Sequence, residues 1–301
     1  MKTLLSKSIR PAIITIALGH LASAGLHAAP LAFDGFAYAT GSSIIAPDNG
    51  NGGTGWFSKW SGGGLATVES SATAITYSSD GVTYGGGNSM SISGGGTQNA
   101  AARAFSGTTI KNGLDVFFSY TVRITGGTAG AAISSGSFIS ISLLDAGFSS
   151  ASDNGIILNG SSLGARVANT TTSTTDTLRY GETYLVVGRF SDWDNTTNTY
   201  QQTSVWLNPA SSGFTDTAFG TVVTTAGYAS TSVATSTGTG SDGYRGVTVR
   251  TNALGTNVYL IDDLRIGTTW DDVVLSSIPE PSATAAVLGI TALAAVFRRR
   301  R

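Results

Sequence analysis

The chain has no cysteine among its 301 residues. Disulfide staples, thiol nucleophiles and thiolate metal sites are therefore excluded. Histidine is almost as scarce, with only His20 and His27, both close to the N-terminus. A body without histidine cannot run Ser-His-Asp or Cys-His catalysis and cannot build a histidine zinc site. Glutamate is also rare, at Glu69, Glu182 and Glu280. Jelly-roll glycosidases need two carboxylates about 5–10 Å apart, commonly carried as a closely spaced Glu/Asp set on one strand, and no such set occurs here. Basic residues are few where they would matter. Of 17 Lys and Arg, three lie in residues 1–10 and four are Arg298–Arg301, leaving 10 against 18 Asp and Glu (Glu280 of the tail included), or about −8. Nucleic-acid binding is not expected from such a chain, because its main energetic term is phosphate neutralisation by Lys and Arg. No catalytic residue, resident metal or cofactor is expected.

The ends of the chain differ from its middle. Lys2, Lys7 and Arg10 precede an apolar stretch, Ala12–Ala22, and then Ala22-Ser23-Ala24. A basic start, a short apolar helix and a small-x-small site describe a secretory signal peptide, assigned here to residues 1–29. Cleavage is open between Ala24 and Ala29; Ala24 has the better small residue at minus three. An uncleaved anchor is the alternative, for which the run falls short of the ~20 residues a span needs.

Between residues 31 and 276 no helical period is visible, and short Val/Ile/Phe/Tyr/Thr runs alternate with Gly, Ser, Asn and Asp clusters. That pattern predicts strands. The clear ones are Asp115–Ile124, Phe138–Leu144, Tyr184–Phe190, Tyr200–Leu207, Val247–Thr251 and Val258–Ile266. Weaker ones are Ala74–Tyr77, Ser89–Ser93, Ala101–Phe105, Ile156–Leu158 and Ala165–Ala168. In Phe138–Leu144, Ile139, Ile141 and Leu143 share one face, and Phe138, Ser140 and Ser142 share the other. About a dozen short strands with Gly-rich turns predict an all-β fold over residues 30–276, an antiparallel β-sandwich of jelly-roll form. Two Ser/Thr-rich stretches, Asn169–Thr175 and Ala229–Gly240, read as surface loops, with an exposed edge strand as the alternative for the first.

Three polar or aromatic features are candidates for ligand binding. Asp192, Asp194, Asn195 and Asn198 cluster around Trp193 in a predicted hairpin turn. They offer hard oxygens of the kind Ca²⁺ takes, yet lack the Gly and final Glu of an EF-hand loop, and turns favour Asp and Asn for their own reasons. Asp262-Asp263 lie inside a predicted strand, where neighbours alternate between faces. One of them should point inward or lie at an edge, and a hydrogen bond or an arginine partner fits better than a metal. Of Trp56, Trp60, Trp193, Trp206 and Trp270, Trp193 alone is expected to be exposed, as sugar platforms are.

The C-terminus carries the most explicit pattern. Ile278-Pro279-Glu280-Pro281 precedes an uncharged stretch, 282–297, and then Arg298, Arg299, Arg300 and Arg301. The prolines impose an extended approach. A helix of the next 16 residues reaches about 24 Å, short of the ~30 Å hydrocarbon core, so it needs local thinning or snorkelling arginines. The terminal arginines obey the positive-inside rule. The tail, residues 277–301, resembles the PEP-CTERM sorting domain of Gram-negative bacteria, and its three parts stand in that order. The resemblance implies an exported protein held in the inner membrane by a transmembrane helix at 282–297 and facing the periplasm. It also implies recognition of Pro279, Glu280 and Pro281 by an exosortase-type sorting enzyme, and passage to the cell surface or matrix. A plain tail anchor is the alternative. The body resembles the lectin-like β-sandwich regions of PEP-CTERM proteins from Verrucomicrobia and Planctomycetes, akin to laminin-G-like and concanavalin-like domains. The resembling pieces are Phe33-Asp34-Gly35-Phe36, Gly52–Trp56 with Trp60, Tyr184–Pro209 and Ile261–Trp270. The expected role is a non-enzymatic envelope or extracellular-matrix protein. Binding of exopolysaccharide is the rival reading, and a glycoside-active enzyme a distant third.

Overall fold

The computed structural model describes residues 30–275, except 46–49, 63–65, 80, 95–97, 107–109, 111–112, 135, 146–153, 168–169, 174–176, 210–227 and 234–242. These residues belong to one compact unit, Ala29–Ser276. The expected signal peptide, sorting motif and transmembrane helix lie outside the described residues. Among the described residues no helix is long and apolar enough to cross a membrane.

Two antiparallel sheets form the body. The first contains β1 (Ala32–Asp34), β2 (Ala66–Ser71), β5 (Ser89–Gly94), β7 (Val116–Thr125), β12 (Thr183–Asp194), β13 (Thr199–Leu207), β14 (Tyr228–Val233) and β16 (Val258–Gly267). Its order is β14-β13-β12-β7-β16-β5-β2, with β1 also paired to β16. The second contains β6 (Gln98–Ala104), β8 (Phe138–Asp145), β9 (Gly155–Asn159), β10 (Ser162–Val167), β11 (Thr170–Ser173) and β15 (Tyr244–Asn252), in the order β11-β10-β9-β8-β15-β6. The chain switches sheets at β5–β6, β6–β7 and β7–β8, and the late strands β15 and β16 then insert between those early ones. This wrap is jelly-roll-like and antiparallel, as expected.

The six clear strands all form. Ile139, Ile141 and Leu143 share one face as expected, and that face lies in the main core with Val122, Val186, Phe190, Ile156, Leu158, Val249 and Ile261 from both sheets. Three expectations need correction. Thr170–Ser173 is a strand, paired with β10 at the sheet edge, so the first Ser/Thr stretch takes its edge-strand alternative. Tyr228–Val233 likewise pairs with β13, so the second stretch is not all loop. β-branched Thr fits a pleated edge even without apolar neighbours. The body also contains one helical turn, α1 (Trp270–Val273), where Asp272 Oδ2 accepts the Thr268 and Thr269 N–H groups at 2.9 Å.

The first sheet is covered on its outer face too. A hairpin of β3 (Thr76–Ser79) and β4 (Val82–Gly85) joins α1 there. Tyr84, Phe117, Leu185, Val187, Trp206, Trp270, Val273 and Val274 make a second apolar cluster, with Tyr77, Val82 and Leu275 packed against it. Trp206 is therefore buried as expected, but in this outer cluster, edge-on to Trp270 at 5.4 Å. Two-faced burial explains why β7 and β12 read as nearly continuous apolar runs.

The N-terminal segment is fastened by one buried ion pair. The Asp34 carboxylate accepts from Phe36 N at 2.8 Å, Tyr38 Oη at 2.6 Å, Trp60 Nε1 at 2.7 Å and the Arg103 guanidinium. Arg103 also donates to the carbonyls of Ser58 at 2.8 Å and Gly52 at 2.7 Å, and lies over the Trp56 ring. Burial pushes the Asp34 carboxyl up, against the pull of these donors. Gly53 and Gly55 have positive φ, and a Cβ on either would fall 2.2 and 2.0 Å from the carbonyl oxygens of Phe33 and Leu31. Only glycine permits that approach.

Breaking a buried pair by removing one partner costs about 3–5 kcal/mol, because the other charge stays buried without compensation. Arg103→Met should lower stability by that order in urea unfolding of the full chain. A loss below about 1 kcal/mol would show that the pair is not holding the segment.

Candidate functional site

The residues singled out around Trp193 do come together, at the β12–β13 hairpin at one end of the sandwich. Asp192 has φ 59° and lies between the Ser191–Gln202 and Trp193–Tyr200 pairs, opposite Gln201, with the register unchanged on either side. Its left-handed backbone breaks the alternation of faces without adding a residue. Trp193 is thereby aimed at the end of the main core, edge-on to Tyr200 at 4.9 Å and to Tyr244 at 6.3 Å. Tyr200 and Tyr244 are themselves buried and stacked at 5.5 Å.

Trp193 is half-buried, less exposed than the sequence suggests, because the left-handed Asp192 turns it inward. Its Nε1 donates to Asn195 Oδ1 at 3.1 Å. Of the other tryptophans, Trp56 is half-buried and Trp60 and Trp270 are buried. A Cβ on Gly113 would fall 3.8 Å from the Trp193 indole, and Leu114, next in the chain, is 52% exposed. Tyr200 Oη donates to the Leu114 carbonyl at 2.6 Å, fixing that loop to the hairpin. Burial pushes the Tyr200 hydroxyl above its ordinary range. Asp115, next in the chain, pairs with Arg189. On the far side Asn154 donates to the Tyr200 carbonyl at 2.8 Å and accepts from Tyr244 Oη at 3.0 Å. The result is an apolar rim, Leu114 and Trp193, with exposed Asp192 and Asn195 next to it.

The turn acids have local work. Asp194 accepts from Thr196 N at 2.7 Å and from Thr197 Oγ1 at 2.9 Å, and these bonds hold its carboxyl below the usual range. This is an Asx-type closure. Asn198 takes a left-handed φ of 53°, which Asn tolerates better than most residues. Among the described residues no three Asp, Glu, His or Cys side chains converge as a metal site would require.

Asp262 and Asp263 lie on an interior strand, and neither points into the main core. A register shift between Asp262 and Arg265, with Asp263 at φ 54°, breaks the alternation. Ile261 and Leu264 keep the core face. Asp263 Oδ1 pairs with Arg265 at 2.8 Å and its Oδ2 accepts from Gly85 N at 3.1 Å. The arginine partner expected from the sequence is present; the bulge that allows two adjacent acids carries no obvious sequence sign.

No family model matches the chain, and no curated protein matches it. Several solved structures share some likeness. An endo-beta-1,4-glucuronan lyase from the fungus Trichoderma reesei is 13% identical over 73% of this chain and 94% of its own, with a TM-score of 0.46. Lectin II from Ulex europaeus is 11% identical, covering 67% and 91%, with a TM-score of 0.35. The CBM22-1 xylan-binding domain of Xyn10C from Paenibacillus barcinonensis is 12% identical, covering 79% and 95%, with a TM-score of 0.33. At these identities and scores the likeness carries no argument, and the reading below stands on the chain's own residues.

Because the turn carboxylate is already satisfied by its own hairpin, the fold should melt at the same temperature with and without EDTA. A large fall in midpoint that Ca²⁺ specifically reverses would instead make the Asp192–Asn198 hairpin a calcium loop.

Proposed function

We propose that the chain is an exported, non-enzymatic envelope protein whose sandwich binds a polysaccharide at the Trp193 end. The observation that carries this reading is the rim itself. A half-buried indole, braced by Tyr200 and Tyr244, lies beside exposed Leu114, with Asp192 and Asn195 as hydrogen-bonding groups at its border. Sugars present apolar C–H faces and hydroxyl edges, and an aromatic with polar neighbours meets both. The acidic body, about −8 without its basic ends, favours a neutral glycan over a polyanion.

Affinity electrophoresis of the protein through gels containing neutral polysaccharides tests this. Retardation by at least one glycan is expected. It should be lost in Leu114→Asp and weakened in Trp193→Phe, while melting temperatures stay within a few degrees of wild type. No retardation by any neutral glycan in a broad set would leave the structural envelope role as the surviving reading.

Sorting through the tail is the second part of the proposal. Its support is the sequence order: Pro279-Glu280-Pro281, the uncharged 282–297 stretch and Arg298–Arg301. Replacing Pro279, Glu280 and Pro281 together with alanine leaves the apolar stretch and its charges intact. In a host with the sorting enzyme this variant should accumulate uncleaved in the inner membrane. If its mass and location match wild type, the tail is a plain anchor.

A further inference from the structure

The β16 bulge places two carboxylates beside one guanidinium. Arg265 is committed to Asp263 and stacks over Phe33. Asp262 is left without an ionic partner although it is only 1% exposed. Its Oδ1 accepts from Asp263 N at 2.7 Å, and its Oδ2 has no hydrogen-bond partner. That oxygen lies 3.1 Å from where a Cβ on Gly85 would be. Gly85, at φ 72°, ends β4, and Gly86 N donates to the Ile75 carbonyl at 2.9 Å, closing the hairpin base. The hairpin in turn holds the end of the described chain, since Tyr84 Oη donates to the Leu275 carbonyl at 3.1 Å within the outer cluster.

We propose that Asp262 is a proton-operated latch on the β3–β4 hairpin. With Asp262 neutral, the Gly85–Gly87 segment closes over β16. With Asp262 ionised, a second negative charge stands beside Asp263 in a dry site, and the hairpin opens, releasing the Leu275 carbonyl from Tyr84. Few other charges face the site. Asp263 and Arg265 come from β16 itself, Tyr84 from β4 and Tyr77 from β3. β7 contributes Thr121, with Arg123 two pairs further along and bonded to Thr183. β5 contributes Ser89 and Ser91, with Glu69 beyond them on β2. From α1, Asp272 is taken up by the Thr268 and Thr269 N–H groups.

Burial, chiefly, raises the Asp262 carboxyl to about 7, helped by the charge of Asp263 and opposed by nearby backbone N–H groups of Asp263, Gly87 and Gly86. An opened, hydrated Asp titrates near the ordinary 3.8 of an aspartate. Between those two values the closed form holds the proton and the open form does not. Closure therefore weakens about tenfold for each pH unit on rising through that window, and levels off above it.

Amide hydrogen exchange of the full chain from pH 5 to pH 8, corrected for the intrinsic pH dependence of exchange, reads this directly. In wild type, protection of residues 76–86 should fall about tenfold per pH unit up to about pH 7, and that of 270–275 should follow it. Protection in β7 and β12 should not change. Asp262→Asn, neutral at every pH, should keep the hairpin protected throughout. A pH-independent wild type, or an Asp262→Asn variant with the same fall, overturns the latch. Should that variant not fold, the ¹³C carboxyl titration of Asp262 in wild type decides: a midpoint near 7 supports the latch, and one below 5 overturns it.

Discussion

The position of the whole N-terminal segment depends on the Asp34–Arg103 ion pair. The pair joins β1, in the first sheet, to β6, in the second, and it gathers Tyr38, Ser58, Trp60 and Gly52 around itself. Both ions are almost fully buried, so their desolvation must be offset inside the protein. The geometry does this by number. One carboxylate takes four donors, and one guanidinium reaches two carbonyls, a phenol and an acid. A residue that supplied fewer bonds would leave a buried charge exposed to its own desolvation cost. The close glycine approaches at Gly53 and Gly55 follow from the same constraint, because the 50–61 segment must lie directly on the backbone of residues 31–34.

The ion pair gives physical content to a stretch that reads only as a family resemblance in sequence. Phe33-Asp34-Gly35-Phe36 and Gly52-Gly53-Thr54-Gly55-Trp56 look like signatures of a fold. What they specify is a carboxylate, its donors and the glycines that let backbones touch. Its arginine is not legible in the same way. Arg103 lies 69 positions away from Asp34, at the end of a short strand with no distinguishing neighbours. Local patterns announce a need for a partner, not its address.

The strands themselves were legible where burial is one-sided or complete. Phe138–Leu144 alternates, and β7 and β12 run nearly continuous, for the reason that both faces of the first sheet are covered. What escaped was polar or glycine-rich. β4 is Val-Thr-Tyr-Gly, β11 is Thr-Thr-Thr-Ser, and β14 is half Ser and Thr. Such segments pair because a neighbouring edge is available, and sequence does not display that edge. The Trp193 cluster was legible as a turn. The left-handed backbone of Asp192 was not, and it decides whether the indole faces solvent or the core.

The two left-handed aspartates have a common logic. At Asp192 a left-handed residue turns an aromatic inward at the end of a strand, with no change of register. At Asp263 one turns an acid outward in the middle of a strand, so that Ile261 and Leu264 can both keep the core face. Each breaks the period-two rule at a polar residue and restores it for the apolar ones on either side. The apolar face is thus conserved across the break, and the irregularity is passed to side chains that can hydrogen-bond. The outer cluster makes the β16 bulge consequential. With hairpin β3–β4 and α1 covering the first sheet, an outward acid does not reach water, as it would on an open sheet. Asp262 is pressed beneath Gly85 instead, and the covering hairpin makes its protonation state matter to the packing above it.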